Sequence, residues 1–147
     1  MELKESRIIF TGGGTAGHVL PNIPVIQLLN KRSKCSVFYL GDRKGIENTI
    51  SKPHVQRFYH VSSGKLRRYW SFKNLRDIFC VLLGIVQSYF IIFSLKPQLI
   101  FSKGGFVSFP VVLAAWANRV PIIIHESDLT PGLTNKLCTP FADHICC

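Results

Sequence analysis

The feature that most restricts the fold of this chain is the alternation of short apolar runs with longer stretches of helical character. Five runs rich in β-branched and aromatic residues have the composition of strands, at residues 7–11, 36–40, 55–61, 98–102 and 121–125. Because a segment of helical length follows most of these runs, the pattern predicts a parallel sheet made of βαβ units. The runs Ile8-Ile9-Phe10 and Ile122-Ile123-Ile124 are apolar throughout, which is typical of strands buried on both faces. We therefore expect an α/β fold, a Rossmann-like parallel sheet with helices on both faces.

The segments between the strands predict five helices, at about residues 21–31, 45–51, 72–95, 109–118 and 133–138. The third contains an apolar run, 78–95, that is nearly long enough to span a bilayer. This run also contains Gly84, Gln87 and Ser88, and it lies between two strands of the same predicted sheet. We therefore predict a buried crossover helix rather than a membrane span.

Length and composition narrow the class of protein. The 147 residues suffice for one domain, 1–147, and are too few for two ordinary domains. Lys and Arg outnumber Asp and Glu by 18 to 8, and the net charge of +10 favours anionic partners such as phosphates, nucleotides, nucleic acid or an anionic membrane. The five cysteines show no metal-binding spacing, and no signal peptide precedes the first strand, so we expect reduced thiols in the cytoplasm.

A glycine-rich loop follows the first predicted strand. Its sequence, Gly-Gly-Gly-Thr-Ala-Gly-His at residues 12–18, defines the first glycine loop. Glycines allow the backbone to turn sharply and bring N–H groups close to a phosphate or a sugar. Gly12, Gly14 and Gly17 match the G-x-G-x-x-G pattern, and Asp42 follows the second strand, so an NAD-binding Rossmann domain is one interpretation.

Two prolines argue against NAD. Pro21 and Pro24 fall where the helix of a dinucleotide-binding domain is already under way, and proline inside a helix removes an N–H and clashes with the preceding turn. We therefore predict a longer loop than dinucleotides require. His18, at the end of this loop, has two interpretations of equal weight: a helix cap, or a general base that titrates near neutral pH.

Two further loops follow predicted strands, and ligands of open α/β sheets bind at these carboxyl ends. Residues 103–110, Lys-Gly-Gly-Phe-Val-Ser-Phe-Pro, form the second glycine loop, which is either a phosphate-binding turn or a plain turn. Residues 125–135 follow the fifth strand. Here Glu126 and Asp128 are candidates to bind sugar hydroxyls, while Asp128 or Thr130 is equally suited to cap the next helix.

Four motifs occur in order along the chain. They are residues 13–18 with Pro21, residues 62–68, residues 102–108 with Pro110, and residues 125–128 with 131–135. Together they closely resemble the MurG family of UDP-N-acetylglucosamine transferases, and the resemblance covers essentially the whole chain. It implies the N-terminal, acceptor-side half of a two-domain GT-B glycosyltransferase.

The resemblance also implies a reaction, the inverting transfer of GlcNAc from UDP-GlcNAc to the MurNAc 4-hydroxyl of lipid I, which gives lipid II in peptidoglycan synthesis. His18 is the implied general base. Residues implied to contact the donor are Thr15, Ala16, Gly17 and Asp128. Residues implied to contact the acceptor are Gly13, Gly14, Lys65, Gly104, Gly105, Phe106, His125, Glu126 and Asn135. The implied location is peripheral, at the cytoplasmic face of the cell membrane.

The chain departs from the family pattern in two places. Ala16 stands where the family commonly has glycine, a mild change if that position needs no positive φ. Ser127 and Asp128 stand where many members have Gln-Asn, so a side-chain contact from asparagine to the donor sugar becomes one that accepts hydrogen bonds without donating. Because no D-x-D carboxylate pair is present, we expect no metal and no cofactor in this domain.

A basic and aromatic stretch at residues 65–73 suits either an anionic bilayer, the acceptor pyrophosphate or a solvated loop. We favour membrane and acceptor, with Arg67, Arg68 and Trp70 as the membrane contacts. Nucleic acid is not an expected partner, because the sequence contains no recognised nucleic-acid module.

The donor-binding domain that the resemblance implies has no counterpart in these 147 residues. Residues 143–147 have the composition of an opening strand without a following turn, so we expect a truncated chain or one half of a split enzyme whose C-terminal domain is a separate chain. We expect no transfer by the 147 residues alone. The alternatives are a non-catalytic subunit that binds membrane or acceptor and, with less support, an NAD-binding domain.

Overall fold

A six-stranded parallel sheet forms the centre of the computed structural model, which describes residues 6–32, 34–64, 72–128 and 130–147. The strands are β1 (Ser6–Thr11), β2 (Cys35–Gly41), β3 (Arg57–His60), β4 (Leu99–Ser102), β5 (Ile122–His125) and β6 (His144–Cys146). Their spatial order is β3-β2-β1-β4-β5-β6, and every neighbouring pair is parallel. The order reverses between β1 and β4, and this is the place where doubly wound sheets bind ligands. The predicted Rossmann-like parallel sheet is confirmed.

Five α-helices connect the strands: α1 (Asn22–Arg32), α2 (Ile46–Ser51), α3 (Phe72–Leu95), α4 (Ser108–Ala117) and α5 (Leu133–Cys138). Alternate residues of each central strand face opposite layers, as the pleat requires. Ile9 joins a cluster with residues of α3, α4 and α5, whereas Phe10 joins a second cluster with Ile26 of α1. The predicted helices on both faces are confirmed.

The helix after β1 begins later than in a dinucleotide-binding loop. A short 3-10 turn, Ala16–His18, follows the glycines, and α1 begins only at Asn22. Pro24 lies in the first turn of α1, where its missing N–H would have no intrahelical partner anyway. The longer loop predicted from the two prolines is therefore confirmed.

Several predicted boundaries shift by one or two residues, and two of these shifts have a visible cause or consequence. The strand predicted at 55–61 is regular only over Arg57–His60, although the N–H groups of Gln56 and Val61 still donate to Val37 and Gly41 of β2. Helix α4 begins one residue earlier than predicted, at Ser108, whose hydroxyl donates to the carbonyl of Gly104 at 2.8 Å.

Helix α3 corrects one prediction. One side packs on α4 and on the chain after β3, where Val81, Gly84, Ser88 and Ile92 are buried. A β-carbon on Gly84 would overlap the carbonyl oxygen of Ser62, so this approach requires glycine. The prediction of a buried helix is wrong for the opposite side. The apolar side chains exposed there are Ile78, Phe79, Leu82, Leu83, Val86, Phe90 and Phe93.

We call this exposed side the α3 apolar face. Its residues recur at helical spacing, so they form one continuous stripe along the helix. Within the described residues, the segment Arg76–Leu95 of α3 is long enough and apolar enough to cross a membrane, by length and composition alone. An exposed apolar stripe of this length is unusual for a soluble monomer and is typical of a surface that contacts a membrane or another protein.

Candidate active site

Two glycine loops meet at the carboxyl ends of the neighbouring strands β1 and β4. The N–H of Gly13 donates to the carbonyl of Gly104 at 3.1 Å, and the N–H of Lys103 donates to the carbonyl of Thr11 at 2.9 Å. Each loop is therefore part of the other's hydrogen-bonding pattern. The site predicted from two separate sequence motifs is one continuous structure.

Gly104 and Gly105 are required by both conformation and contact. Their φ angles are +101° and +85°, a region that side chains rarely occupy. A β-carbon on Gly105 would overlap the carbonyl oxygen of Gly13, and one on Gly104 would lie 2.7 Å from Oδ1 of Asn135. The glycines thus let the backbones of the two loops approach each other and the side chain of Asn135 closely.

His18 is half-buried beside the first glycine loop, and its ring is held by Thr15. Oγ1 of Thr15 lies 2.8 Å from Nδ1 of His18. When Nδ1 carries the ring proton and donates to the threonine, Nε2 keeps a lone pair and can accept a proton from a ligand. Both interpretations of His18, the helix cap and the general base, are compatible with this position. An Nε2 atom that keeps its lone pair is what a general base needs.

The electrostatic surroundings keep His18 neutral. Burial lowers the pKa of its imidazole, the charge of Lys103 lowers that pKa further, and Glu126 and Asp128 oppose the shift without overcoming it. Lys103 is 1% exposed, and its Nζ donates to Oγ of Ser127 at 2.8 Å. A lowered pKa means that the ring is unprotonated at pH 7 and ready to act as a base.

Glu126 organises the loop after β5. Its Oε1 accepts the N–H groups of Ser127 at 2.9 Å and Asp128 at 3.0 Å. Its Oε2 accepts the N–H of Gly132 at 3.3 Å and Nδ2 of Asn135 at 2.8 Å. Burial by itself raises the pKa of this carboxyl, but the four hydrogen bonds outweigh burial and the pKa lies below its usual value. The carboxylate therefore holds the loop together, and the acceptor contact predicted for Glu126 stays a prediction.

The remaining predicted residues of this loop lie in different surroundings. Asn135 is buried below the second glycine loop, and its Oδ1 has no hydrogen-bond partner among the described residues. Asp128 is exposed and close enough to His18 to raise its pKa. The ring of His125 stacks on Phe101 with centroids 6.1 Å apart, so it packs on the sheet. Acceptor contacts from His125 and Asn135, and donor contacts from Asp128, stay predictions.

Two neighbouring cavities open on this edge of the sheet. The His18 cavity, of about 180 Å³, lies between His18, the two glycine loops and the start of α5. The Asp42 cavity, of about 420 Å³, lies between the first glycine loop and the start of α2. Gly14 and Phe106 line both cavities, so these two predicted acceptor residues form the partition between them.

Comparison with known proteins assigns the family. The N-terminal domain of glycosyltransferase family 28 matches residues 8–147. The chain belongs to glycosyltransferase family 28. A protein of Legionella pneumophila (strain Corby), named UDP-N-acetylglucosamine--N-acetylmuramyl-(pentapeptide) pyrophosphoryl-undecaprenol N-acetylglucosamine transferase, is 54% identical over 139 residues, which are 95% of this chain and 38% of that protein. A transferase of Bacillus thuringiensis (strain Al Hakam) with the same name, numbered 3, is 51% identical, again over 95% of this chain and over 39% of its own length.

The family 28 domain is also similar to solved structures. Acinetobacter baumannii MurG superposes with a TM-score of 0.81 and 26% identity, over 96% of this chain and 41% of that one. A putative UDP-N-acetylglucosamine 2-epimerase of Listeria monocytogenes, at 11% identity and a TM-score of 0.67, shares the fold alone. The predicted MurG-family resemblance is confirmed, and the chain spans about two fifths of the length of these relatives.

One departure of this family 28 domain, Ala16, now has a physical interpretation. Ala16 lies in the 3-10 turn, and the non-glycine residues with positive φ in the described part are Lys96 and Arg119. Alanine at position 16 therefore carries no backbone strain. The predicted contacts Lys65, Arg67, Arg68 and Trp70 lie outside the described residues.

Sequence reasoning missed two buried charges of the site. Glu47, 1% exposed, accepts the N–H of Gly14 at 3.2 Å and the N–H of Asp42 at 3.0 Å, so it supports the first glycine loop from beneath. Lys103 acts on the pKa of His18 from below the second loop. Lys103 directly precedes two glycines at a strand end, a signal that was available in the sequence. Glu47 carried no such signal, because it lies on a short helix after a different strand.

Proposed function

We propose that this family 28 domain is the acceptor side of a transferase that moves N-acetylglucosamine from UDP-N-acetylglucosamine to lipid I, the undecaprenyl-pyrophosphoryl-N-acetylmuramyl-pentapeptide. The observation that carries the proposal is the half-buried ring of His18 in a cavity between two glycine loops, with Nδ1 2.8 Å from Oγ1 of Thr15 and with Nε2 unpaired among the described residues. The names of relatives that are 51% and 54% identical support the same substrates.

In the proposed reaction the acceptor 4-hydroxyl attacks the anomeric carbon of the donor sugar. A new C–O bond forms on one face of the sugar while the bond to UDP breaks on the other, which inverts the configuration. The hydroxyl proton passes to Nε2 of His18, and UDP leaves with the bonding electrons. Thr15 orients the ring, and burial together with Lys103 keeps it unprotonated until this step.

The glycine loops fit the acceptor pyrophosphate. Backbone N–H groups can approach a phosphate closely where no side chain intervenes, and Gly104 and Gly105 provide such a surface. Gly13 and Gly14 border it, but their N–H groups already donate to Gly104 and Glu47. Thr15 and Gly17 are exposed residues of the first glycine loop, on the side that we assign to the donor. Asp128 is exposed nearby and offers the donor sugar hydrogen-bond acceptors only.

We assign most of the donor site to a second Rossmann-like domain. The relatives are more than twice as long as the stretch matched here, and they are named for the use of both substrates. The second domain is either a continuation of the same protein or a separate chain. Without it, half of the cleft that orients the donor is missing, so we expect no transfer by residues 1–147 alone.

We further propose that the domain docks on the cytoplasmic face of the membrane. The α3 apolar face exposes side chains along the helix, and the basic stretch 65–73 directly precedes and enters that helix in sequence. An apolar stripe next to positive charge matches an anionic bilayer surface, with the stripe in the acyl boundary and the charges at the head groups. The polyprenyl tail of lipid I lies in the same bilayer.

A chimera tests the proposed reaction. In the Legionella transferase, this chain replaces the 139 matched residues, and transfer from UDP-N-acetylglucosamine to a lipid I analogue is measured. We expect activity, and we expect His18→Ala to lower kcat by roughly 10²–10⁴ with little change in donor KM. His54→Ala, before β3 and far along the chain from the glycine loops, is the matched control. An active chimera that tolerates His18→Ala would refute the role of His18, and an inactive one in which the Legionella domain is folded would refute the proposed function.

A further inference from the structure

The Asp42 cavity plays no part in the reaction described so far. It lies over the carboxyl ends of β2 and β3, and its volume of about 420 Å³ is within the range of ~300–1,000 Å³ that is usual for small-ligand sites. It is more than twice as large as the His18 cavity beside it. Because Gly14 and Phe106 line both, one ligand can extend from one cavity into the other.

The charged groups of this cavity are fixed by hydrogen bonds. Oδ1 of Asp42 accepts the N–H of Lys44 at 2.8 Å, and Oδ2 accepts the hydroxyl of Ser63 at 2.6 Å. Glu47 below them is bonded to the N–H groups of Asp42 and Gly14. Asp42 is therefore held in place facing the cavity, and the ammonium of Lys44 is exposed at its rim.

This charge pattern distinguishes between parts of the acceptor. Two carboxylates and one ammonium line the cavity, so its net charge is negative and it repels a pyrophosphate. A peptide is different, because its amide N–H groups can donate to Asp42 and its carboxylates can pair with Lys44. Ile46, 43% exposed, with Phe106 and Val107, offers apolar contacts to small aliphatic side chains.

We propose that the Asp42 cavity binds the peptide substituent of the acceptor, while the sugar that bears this peptide occupies the His18 cavity. The inference rests on the proposed function, because it takes the acceptor to be a glycan that carries a short peptide. It adds a specificity site: Asp42 accepts hydrogen bonds from amide N–H groups of the peptide, Lys44 pairs with the carboxylate at the end of the peptide, and Phe106 separates the sugar from the peptide.

Binding to the ¹⁵N-labelled chain tests the placement. The probes are N-acetylmuramic acid, N-acetylmuramyl-pentapeptide and the free pentapeptide. We expect the sugar alone to shift the amide signals of residues around His18, and the sugar-peptide to shift those signals together with the amides of Asp42, Lys44 and Ser63. Sugar-peptide shifts confined to the His18 cavity would overturn the inference and leave the acceptor assignment standing. No shift at either cavity would overturn both.

Variants test the recognition. Lys44→Ala removes an exposed ammonium, so the fold should survive, and we expect the Kd for N-acetylmuramyl-pentapeptide to rise about tenfold, since pairing with a charged group is lost. Asp42→Asn should weaken the same ligand, and neither variant should change binding of N-acetylmuramic acid. Lys34→Ala, exposed just before β2 at the opposite end of that strand, is the matched control. In the chimera, Lys44→Ala should raise the acceptor KM with little change in kcat. Equal binding of the sugar-peptide by the wild type and both variants would overturn the inference even if the chimera is fully active.

Discussion

A single methyl group at position 105 should separate the two glycine loops. In Gly105→Ala, the β-carbon would overlap the carbonyl oxygen of Gly13 while the backbone stays at a φ of +85°. The strain of that φ costs about 1–3 kcal/mol. Moving the loops apart also lengthens the 3.1 Å bond from Gly13 N–H to Gly104, worth about 1 kcal/mol. We expect the free energy of unfolding, measured by urea titration, to fall by about 3 kcal/mol.

Two other glycines separate these contributions. Gly14 has a φ of +82°, but the nearest atom to its β-carbon position is 4.0 Å away, on Phe106, so Gly14→Ala should show the strain alone, about 1–2 kcal/mol. Gly17 has no positive φ and only a 3.9 Å contact with Thr15, so Gly17→Ala should be neutral or stabilise by about 0.4–1 kcal/mol. If Gly105→Ala loses no more stability than Gly14→Ala, the close approach of the loops is not what requires glycine.

Three further results are expected. Lys103→Met should raise the pKa of His18, because one cause that lowers it disappears, and an NMR titration of the ring would show a fall or no change if this reasoning is wrong. The folded-state pKa of Glu126 is lowered, so its contribution to stability is present above the unfolded pKa and is lost as the pH falls through the folded one. Glu126→Gln should therefore flatten the pH dependence of the free energy of unfolding on the acidic side of the usual carboxyl pKa, and an unchanged slope there would count against this reasoning. Phe90→Ser should weaken binding of the domain to anionic vesicles about tenfold, and Leu28→Ser on α1 is the control. Added salt should weaken the binding of every variant. Equal losses for both variants would exclude the α3 apolar face as the membrane-binding surface.

The strands of the sheet could be predicted from the sequence because the pattern of apolar residues that marks each strand is local. Runs such as Ile122-Ile123-Ile124 contain their own evidence of burial on both faces, and the prolines at 21 and 24 fix the late start of α1 within a few residues. The exposed side of α3 could not be predicted from the sequence. Its apolar residues surround the helix on all sides, so hydropathy cannot tell which of them pack on α4 and which remain uncovered.

The candidate site was likewise predicted only in part from the sequence. Each glycine loop could be recognised from its own short motif, which identified His18 and the glycines, and the structure brings the two loops together. The role of Glu126 could not be inferred, because a carboxylate that binds four donors within its own loop has the same sequence signature as one that binds a sugar. The support from Glu47 depends on a contact across 33 positions of the chain, which only the folded sheet defines.

The loop after β5 can change its exposed side chain at position 128 without changing its shape. Glu126 holds residues 127 and 128 through their main-chain N–H groups, which all amino acids except proline possess. The side chain at position 128 is therefore not needed to hold the loop in shape, and an amide can replace the carboxylate there, whereas the hydroxyl of Ser127 accepts a hydrogen bond from Lys103. Asp128→Asn should therefore keep the shape of the loop while adding a hydrogen-bond donor at its exposed surface.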